Sequence, residues 1–329
     1  MKEIKVNEEI ISCDNGKDVI YTAENGVYIR DVLINAGIGC EVLIGNISDI
    51  HINYCNAEDF KESDPVVLST CEYRRWCAGA SSVMKLRRSL EFLDDADQIV
   101  INGDTLDYLS KGVLELMDLE IWDKIPGVIA TVGGHERAKQ MQGKVRETST
   151  IEDHMKELEK YWRHDIYYYS KLIKNKVLVV GLCDDRAIIT KGTLEKLRAD
   201  IELSRKNGYI MLLFAHEPIK TNNPAHANYT TDMVLTEGDT SGFPYDFCSG
   251  NIKGSRLLGW ETCDATSKEA YELIVNSADV IKGFFGAHFH NDMHMDILAK
   301  ANGEDAVIPQ YITTATAYGE GHLMRILVK

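Results

Sequence analysis

Apolar residues along this chain gather into short, nearly continuous runs that stop abruptly at glycine or polar residues: 41–48, 98–102, 127–132, 176–181, 209–215, 279–286 and 310–317. Runs apolar at successive positions predict strands covered on both faces. Between them the period changes. Val83, Leu86, Leu90 and Leu93 recur at spacings of three and four within 76–96, and 150–161 and 193–206 carry a similar pattern, so helices are expected there. Thr266 stands three residues before Glu269, the spacing of a capping box, and a helix is expected to start there and run through 270–275. Strands alternating with helices predict an α/β protein.

The first forty residues read differently. Segments 19–21 and 27–32 flank Glu24-Asn25-Gly26, and Asn-Gly between β-formers signals a hairpin. Residues 1–40 are therefore expected as an N-terminal β-extension and 41–329 as one domain. Within it, 218–263 is rich in Gly, Asn, Thr and Asp with little apolar period, which predicts a loop or lid insertion.

Composition narrows the picture. A chain of 329 residues, 44% hydrophobic and 26% charged, can bury a large core and carries no biased tract. The formal charge of −15 argues against tight, nonspecific contact with a nucleic-acid backbone, which needs clustered Lys and Arg. Met1–Asn7 carries Lys2, Glu3 and Lys5 with no apolar stretch behind it, and the run 209–215 is far shorter than the roughly 18 residues of a membrane span. A soluble, cytoplasmic protein without membrane contact is expected. The eight cysteines are scattered with no CxxC pair, which predicts reduced, mostly buried thiols.

Candidate chemistry sits where the apolar runs end. Asp49-Ile50-His51 follows the first run, Gly103-Asp104-Thr105-Leu106-Asp107 the second, and Gly133-Gly134-His135-Glu136 the third. His216-Glu217-Pro218 follows 209–215, and 279–286 leads into Ala287-His288-Phe289-His290. Ligands of open α/β sheets bind outside the carboxyl ends of strands, so these sites are expected to share one crevice. Asp-x-His and His-x-His would place two donors on one side of an extended segment. Mixed carboxylate and imidazole donors favour zinc, manganese or iron over calcium, and the absence of Cys fits a hydrolytic rather than a structural site.

Taken in order, these motifs resemble the calcineurin-like metallophosphoesterase family, whose pattern reads DxH, GDxxD, GNHE, H and GHxH. The resemblance spans Asp49 to His290, and 311–315 looks like the family's closing strand. It implies a four-layer α/β/β/α sandwich of two mixed sheets flanked by helices. It also implies two divalent metal ions: one held by Asp49, His51, Asp104 and His290, the other sharing Asp104 and adding His216 and His288. Cations about 3.5–4 Å apart can clamp a phosphate and ionise a bridging water, so the implied reaction is in-line attack on phosphorus by a metal-bridging hydroxide. By the same resemblance His135 stabilises the phosphoryl oxygens or protonates the leaving group, and Asp107 orients its neighbours. Where the pattern has Asn as a ligand of the second metal, this sequence has Gly134, which implies weaker binding there.

Neighbouring subfamilies differ at key positions. Tyr108 and Val132 stand where protein Ser/Thr phosphatases carry Arg, and Asp107 stands where purple acid phosphatases carry a Tyr ligand. A phosphomonoesterase or phosphodiesterase acting on a small substrate is the expected function. A DNA nuclease of the same superfamily and a noncatalytic phosphate-ligand binder with a degenerate second metal site are the alternatives. Outside the motifs, His154 and His164 are expected in solvated positions and His226 in a surface loop, His294 is expected to follow its strand outward rather than to be a ligand, and Arg137 and Lys139 are expected to be solvated. Asn53 and Tyr54 are candidates for lining the pocket.

Overall fold

The computed structural model describes residues 19–24, 26–62, 82–137, 151–184, 189–219, 222–223, 265–290, 292–317 and 319–329. Its strands are β1 (Val19–Glu24), β2 (Val27–Ile34), β3 (Val42–Ile47), β4 (Gln98–Asn102), β5 (Ile129–Thr131) and β6 (Tyr168–Ile173). They continue with β7 (Val177–Leu182), β8 (Ile210–Phe214), β9 (Ile281–Gly286), β10 (Met293–Ala301), β11 (Glu304–Ile312) and β12 (His322–Val328). The helices are α1 (Ala57–Glu62), α2 (Ser82–Glu91), α3 (Lys111–Met117), α4 (Gly134–Arg137), α5 (Ile151–Leu158), α6 (Lys191–Asn207) and α7 (Ala265–Val275).

Two six-stranded sheets form, in the orders β1-β2-β12-β3-β4-β5 and β10-β11-β9-β8-β7-β6. Both are mixed: β3, β4 and β5 run parallel in the first, β7, β8 and β9 parallel in the second, with antiparallel pairs at β12/β3, β6/β7 and β10/β11. The sheets face each other across Val100, Ile129, Val179, Leu212, Phe214 and Ile326. Leu86, Val113, Met117 and Leu158 cover the outer face of the first sheet, and Leu194, Leu197, Ile201, Ala270 and Ile274 that of the second. The layers are therefore α/β/β/α, as the sequence resemblance implied. Every residue of β7 and β8 is buried, which explains their uninterrupted apolar composition.

Local chemistry fixes the element ends. α6 starts where the Thr190 side chain accepts from Thr193 N–H and stops at Gly208 in the left-handed conformation. α7 begins at Ala265, so Thr266 lies inside its first turn rather than at its boundary. The expected hairpin forms as β1 and β2, and β2 pairs parallel with β12, continuing the first sheet. The run 310–317 divides. Its first part ends β11 at Ile312, while Thr316 N–H and Ala317 N–H cross to the carbonyls of Ser48 and Asp49 beyond β3. The expected loop at 218–263 lies outside the described residues apart from 218–219 and 222–223, as do Lys139, His226 and the side chains of Arg137 and His154. Among the described residues no helix is long and apolar enough to cross a membrane. Of the described cysteines, Cys55 and Cys183 are buried and Cys40 is exposed, all as free thiols.

Candidate metal centre

The eight residues expected to carry the chemistry lie just past the carboxyl ends of strands, drawn from both sheets. Asp49 and His51 follow β3, Asp104 and Asp107 follow β4, and His135 sits in α4 after β5. His216 follows β8, and His288 and His290 follow β9. The loops after β3 and β4 stay zipped together through Asp49 N–H to Gly103 O, His51 N–H to Asp104 O and Ile52 N–H to Thr105 O. Asn102 joins the two sheets by donating to Phe285 O.

The local geometry departs from the extended segments expected for Asp-x-His and His-x-His. Asp49, His51, Asp104, His288 and His290 all have positive φ, between 45° and 72°. The other non-glycine residues with positive φ among those described are Lys174 and Asn175, between β6 and β7, and Asn302, between β10 and β11. Hairpin turns require that conformation, and Asn tolerates it. No hairpin imposes it on the Asp and His residues, and clustered left-handed residues of this kind mark functional sites.

Close packing at this end of the sheets depends on glycine. A Cβ on Gly103, where φ is +73°, would overlap the His216 ring, and one on Gly133 would overlap Asp104. Glu136 then ties the two loops together, accepting N–H bonds from Thr105, from Leu106 at 3.1 Å and from Gly133 at 2.8 Å. Burial, reinforced by the nearby Asp104 charge, raises its pKa to about 7.

Two donor groups result. Ligating atoms of Asp49, His51, Asp104 and His290 lie within 4.8 Å of one another, and so do those of Asp104, His216 and His288. Asp104 belongs to both. His216 Nδ1 donates to Asn102 O at 3.0 Å, which leaves Nε2 facing Asp104 Oδ2 at 3.2 Å. Metal-binding histidines are commonly held in this way, with one nitrogen committed to a carbonyl. Imidazole nitrogens also confront each other, His51 Nε2 and His290 Nε2 at 3.2 Å, and His288 Nδ1 and His216 Nε2 at 3.2 Å.

The electrostatics suit a cation. Burial alone would raise the Asp49 and Asp104 pKa values, but His290 and His216 outweigh it and hold both carboxyls below the ordinary range, Asp104 well below. Burial would lower His216, yet the Asp104 and Asp49 carboxylates keep it well above its usual value. His288, buried and beside His216, is lowered to about 3, and burial also lowers His51. Asp49 Oδ1 is buried and lies 3.2 Å from His290 Nε2 without a directional hydrogen bond. His51 Nδ1 is likewise buried without one, 3.3 Å from Asp107 Oδ1. Buried carboxylate and imidazole atoms in this state fit a divalent transition ion.

Asp107 forms a third contact centre. Its Oδ1 lies 3.3 Å from both His51 Nδ1 and His135 Nδ1, and its Oδ2 accepts from Asn53 Nδ2 at 3.0 Å. His135 Nδ1 donates to the Asp107 carbonyl at 2.9 Å, and His135 N–H donates to Asp104 Oδ1 at 2.9 Å. Asn53, half-buried, also accepts from Tyr108 OH at 2.9 Å and so links Tyr108 to Asp107. Tyr54 is exposed.

His164, expected in a solvated position, turns out otherwise, and His294 lies in β10. His164 stacks on Tyr169 and accepts the Ala130 N–H at 3.0 Å, while His294 stacks on Tyr311 and lies 3.1 Å from Asp296. Glu136, the last residue of the third motif, carries no role in the sequence pattern, yet its carboxylate binds three backbone N–H groups. Nor does any sequence motif mark the buried carboxyl of Asp184, pushed well above its usual range by burial and by Glu217.

Carboxylate and imidazole groups paired in this way could hold divalent metal ions. The model of the calcineurin-like phosphoesterase family matches residues 42–292, and the chain belongs to that family. Among solved structures the chain is similar to a dimetal phosphatase from Danio rerio, with 12% identity, a TM-score of 0.42 and coverage of 83% of this chain and 87% of that one. It is also similar to a putative 5'-nucleotidase from Staphylococcus aureus in complex with alpha-ketoglutarate, with 11% identity and a TM-score of 0.42. That likeness covers 88% of this chain and 51% of the nucleotidase chain. A comparison with curated proteins gave no match.

Proposed function

We propose that this protein is a metal-dependent phosphoester hydrolase acting on a small, soluble phosphomonoester or phosphodiester. The observation that carries the reading is the convergence of Asp49, His51, Asp104, His216, His288 and His290 into two donor groups sharing one carboxylate. Asp49, His51, Asp104 and His290 are assigned to one divalent cation, and Asp104, His216 and His288 to the other; manganese, iron and zinc suit these donors. Bound cations of this kind neutralise phosphoryl charge and lower the pKa of the attacking water.

The remaining residues bind and orient. His135 is assigned to the phosphoryl oxygens or the leaving oxygen: with Nδ1 committed to Asp107, Nε2 is the ring nitrogen that can meet substrate. Asp107 holds His51 and His135 in register with each other. The domain assignment that goes with this reading is one catalytic unit over 41–329 with the 218–263 segment contributing substrate contacts. The acidic balance of the chain, −15, favours a small substrate over a nucleic acid, and a cytoplasmic setting is part of the same proposal.

The test is turnover of p-nitrophenyl phosphate and bis(p-nitrophenyl) phosphate with added Mn2+. His135→Ala is expected to lower kcat by about 10²- to 10⁴-fold, the usual range for a lost proton-transfer group, while Mn2+ uptake persists. Mn2+ uptake without turnover of either ester by the wild-type protein would replace the hydrolase with a phosphate-ligand binder.

A further inference from the structure

Residues beyond the 42–292 family match converge behind one of the candidate ligands. Thr314 lies in the segment that leaves β11. Its hydroxyl donates to the His290 carbonyl, its N–H donates to Asp292 Oδ1 at 3.2 Å, and its carbonyl accepts from Ser48 Oγ at 3.3 Å. Two residues on, Thr316 N–H donates to Ser48 O at 2.9 Å, and Ala317 N–H follows with Asp49 O at 3.2 Å. One short segment thus grips both the loop that carries Asp49 and the loop that carries His290. Those are the side chains that meet at 3.2 Å across the sheets.

The grip is itself anchored. Asp292 Oδ2 lies 2.8 Å from His322 Nε2 on β12, and Oδ1 lies 3.5 Å from Arg30 Nη1 on β2. Arg30 is fully buried and donates to Ile312 O at 2.8 Å and Met293 O at 3.1 Å, fastening β11 where the 313–317 segment begins and β10 where the His290 loop ends. A buried guanidinium with fixed carbonyl acceptors has little freedom, and removing one member leaves others desolvated and unmatched. His290 has φ +56°, a conformation an L-residue keeps only when its surroundings hold it.

We propose that Thr314, backed by Asp292 and Arg30, is a positioning residue that holds His290 in its left-handed conformation against Asp49, so that the four-donor group is formed before a cation arrives. The inference rests on the cation assignment made above for Asp49, His51, Asp104 and His290.

Its test is a calorimetric Mn2+ titration of the full-length, chelator-treated protein, with circular dichroism as the check on folding. Thr314→Val keeps the side-chain shape and removes the donor. Affinity for Mn2+ is expected to fall about 10- to 100-fold, the usual cost of losing an outer-shell partner, and Thr314→Ser to return it to within about threefold of wild type. Asp292→Asn, which keeps shape and weakens the anchor, is expected to move affinity in the same direction and decides the matter if the valine variant does not fold. Folded variants that bind Mn2+ like wild type, or a serine variant no better than valine, overturn the inference and leave the cation assignment standing. Wild-type protein that takes up no Mn2+ overturns both.

Discussion

The two donor groups share Asp104 yet are built on different supports. The four-donor group draws Asp49, His51 and Asp104 from the first sheet and His290 from the second, and its loops are clamped by the 313–317 segment. The three-donor group sets His216, fully buried and fastened to Asn102 O, against His288. Gly134, where the family pattern has an Asn ligand, has open surroundings. A Cβ built there meets nothing within 4 Å, in contrast to Gly103 and Gly133, where it would collide with a neighbour. Glycine at 103 and 133 serves packing; at 134 it leaves space. The difference teaches that two groups sharing a carboxylate can differ both in their number of donors and in what fastens their loops.

The comparison can be broken most forcefully at the shared carboxylate. Asp104→Asn is expected to lower kcat/KM by about 10³-fold or more and to weaken Mn2+ at both groups, exceeding the 10- to 100-fold typical of a merely supporting residue. If only one class of Mn2+ site changes in a titration, Asp104 does not bridge them.

A smaller effect would sharpen it. Gly134→Asn restores the amide of the family pattern, proposed to reach the three-donor group, at a position whose φ needs no glycine and whose surroundings are open. The weaker Mn2+ affinity is expected to rise by about tenfold, equivalent to about 1.4 kcal/mol, with the tighter one unchanged. A rise in the tighter affinity instead would assign Gly134 to the wrong group.

The smallest effect lies outside both groups. Glu120, buried, accepts from Arg87 Nε at 2.8 Å and from Lys124 Nζ at 2.5 Å, and these partners, Arg87 first, lower its pKa from 4.5 to about 2. A carboxyl depressed on folding stabilises fully above its unfolded pKa and loses that contribution as pH falls toward its folded one. Wild-type Tm is therefore expected to fall more steeply than that of Glu120→Gln between pH 5 and pH 3.5, about the upper part of that window. Parallel Tm curves would remove Glu120 from the account.

Much of this was legible in the chain. The runs ending at Asn102, Phe214 and Gly286 mark strands because both faces of each are covered, and the candidate ligands follow them directly. Strand alternation, the expected basis of Asp-x-His and His-x-His, plays no part: these donors converge through left-handed turns beyond the strands. β10 was readable in principle, since Met293, Met295, Ile297 and Ala299 alternate with His294, Asp296, Leu298 and Lys300. The run 310–317 could not be divided beforehand, because its second half bonds to β3's loop rather than to its own sheet. Arg30 and Thr314 were invisible for the same reason. Arg30 meets Ile312 across 282 positions of sequence, and no local pattern encodes such a contact.

The most direct measurement is Mn2+ uptake by the chelator-treated wild-type chain, followed by calorimetry beside Asp49→Asn. Saturable binding in two unequal steps is the predicted result, with the tighter step lost in the variant and the weaker one retained. A single weak step that Asp49→Asn leaves unchanged would contradict the claim that these carboxylates and imidazoles form a paired cation site.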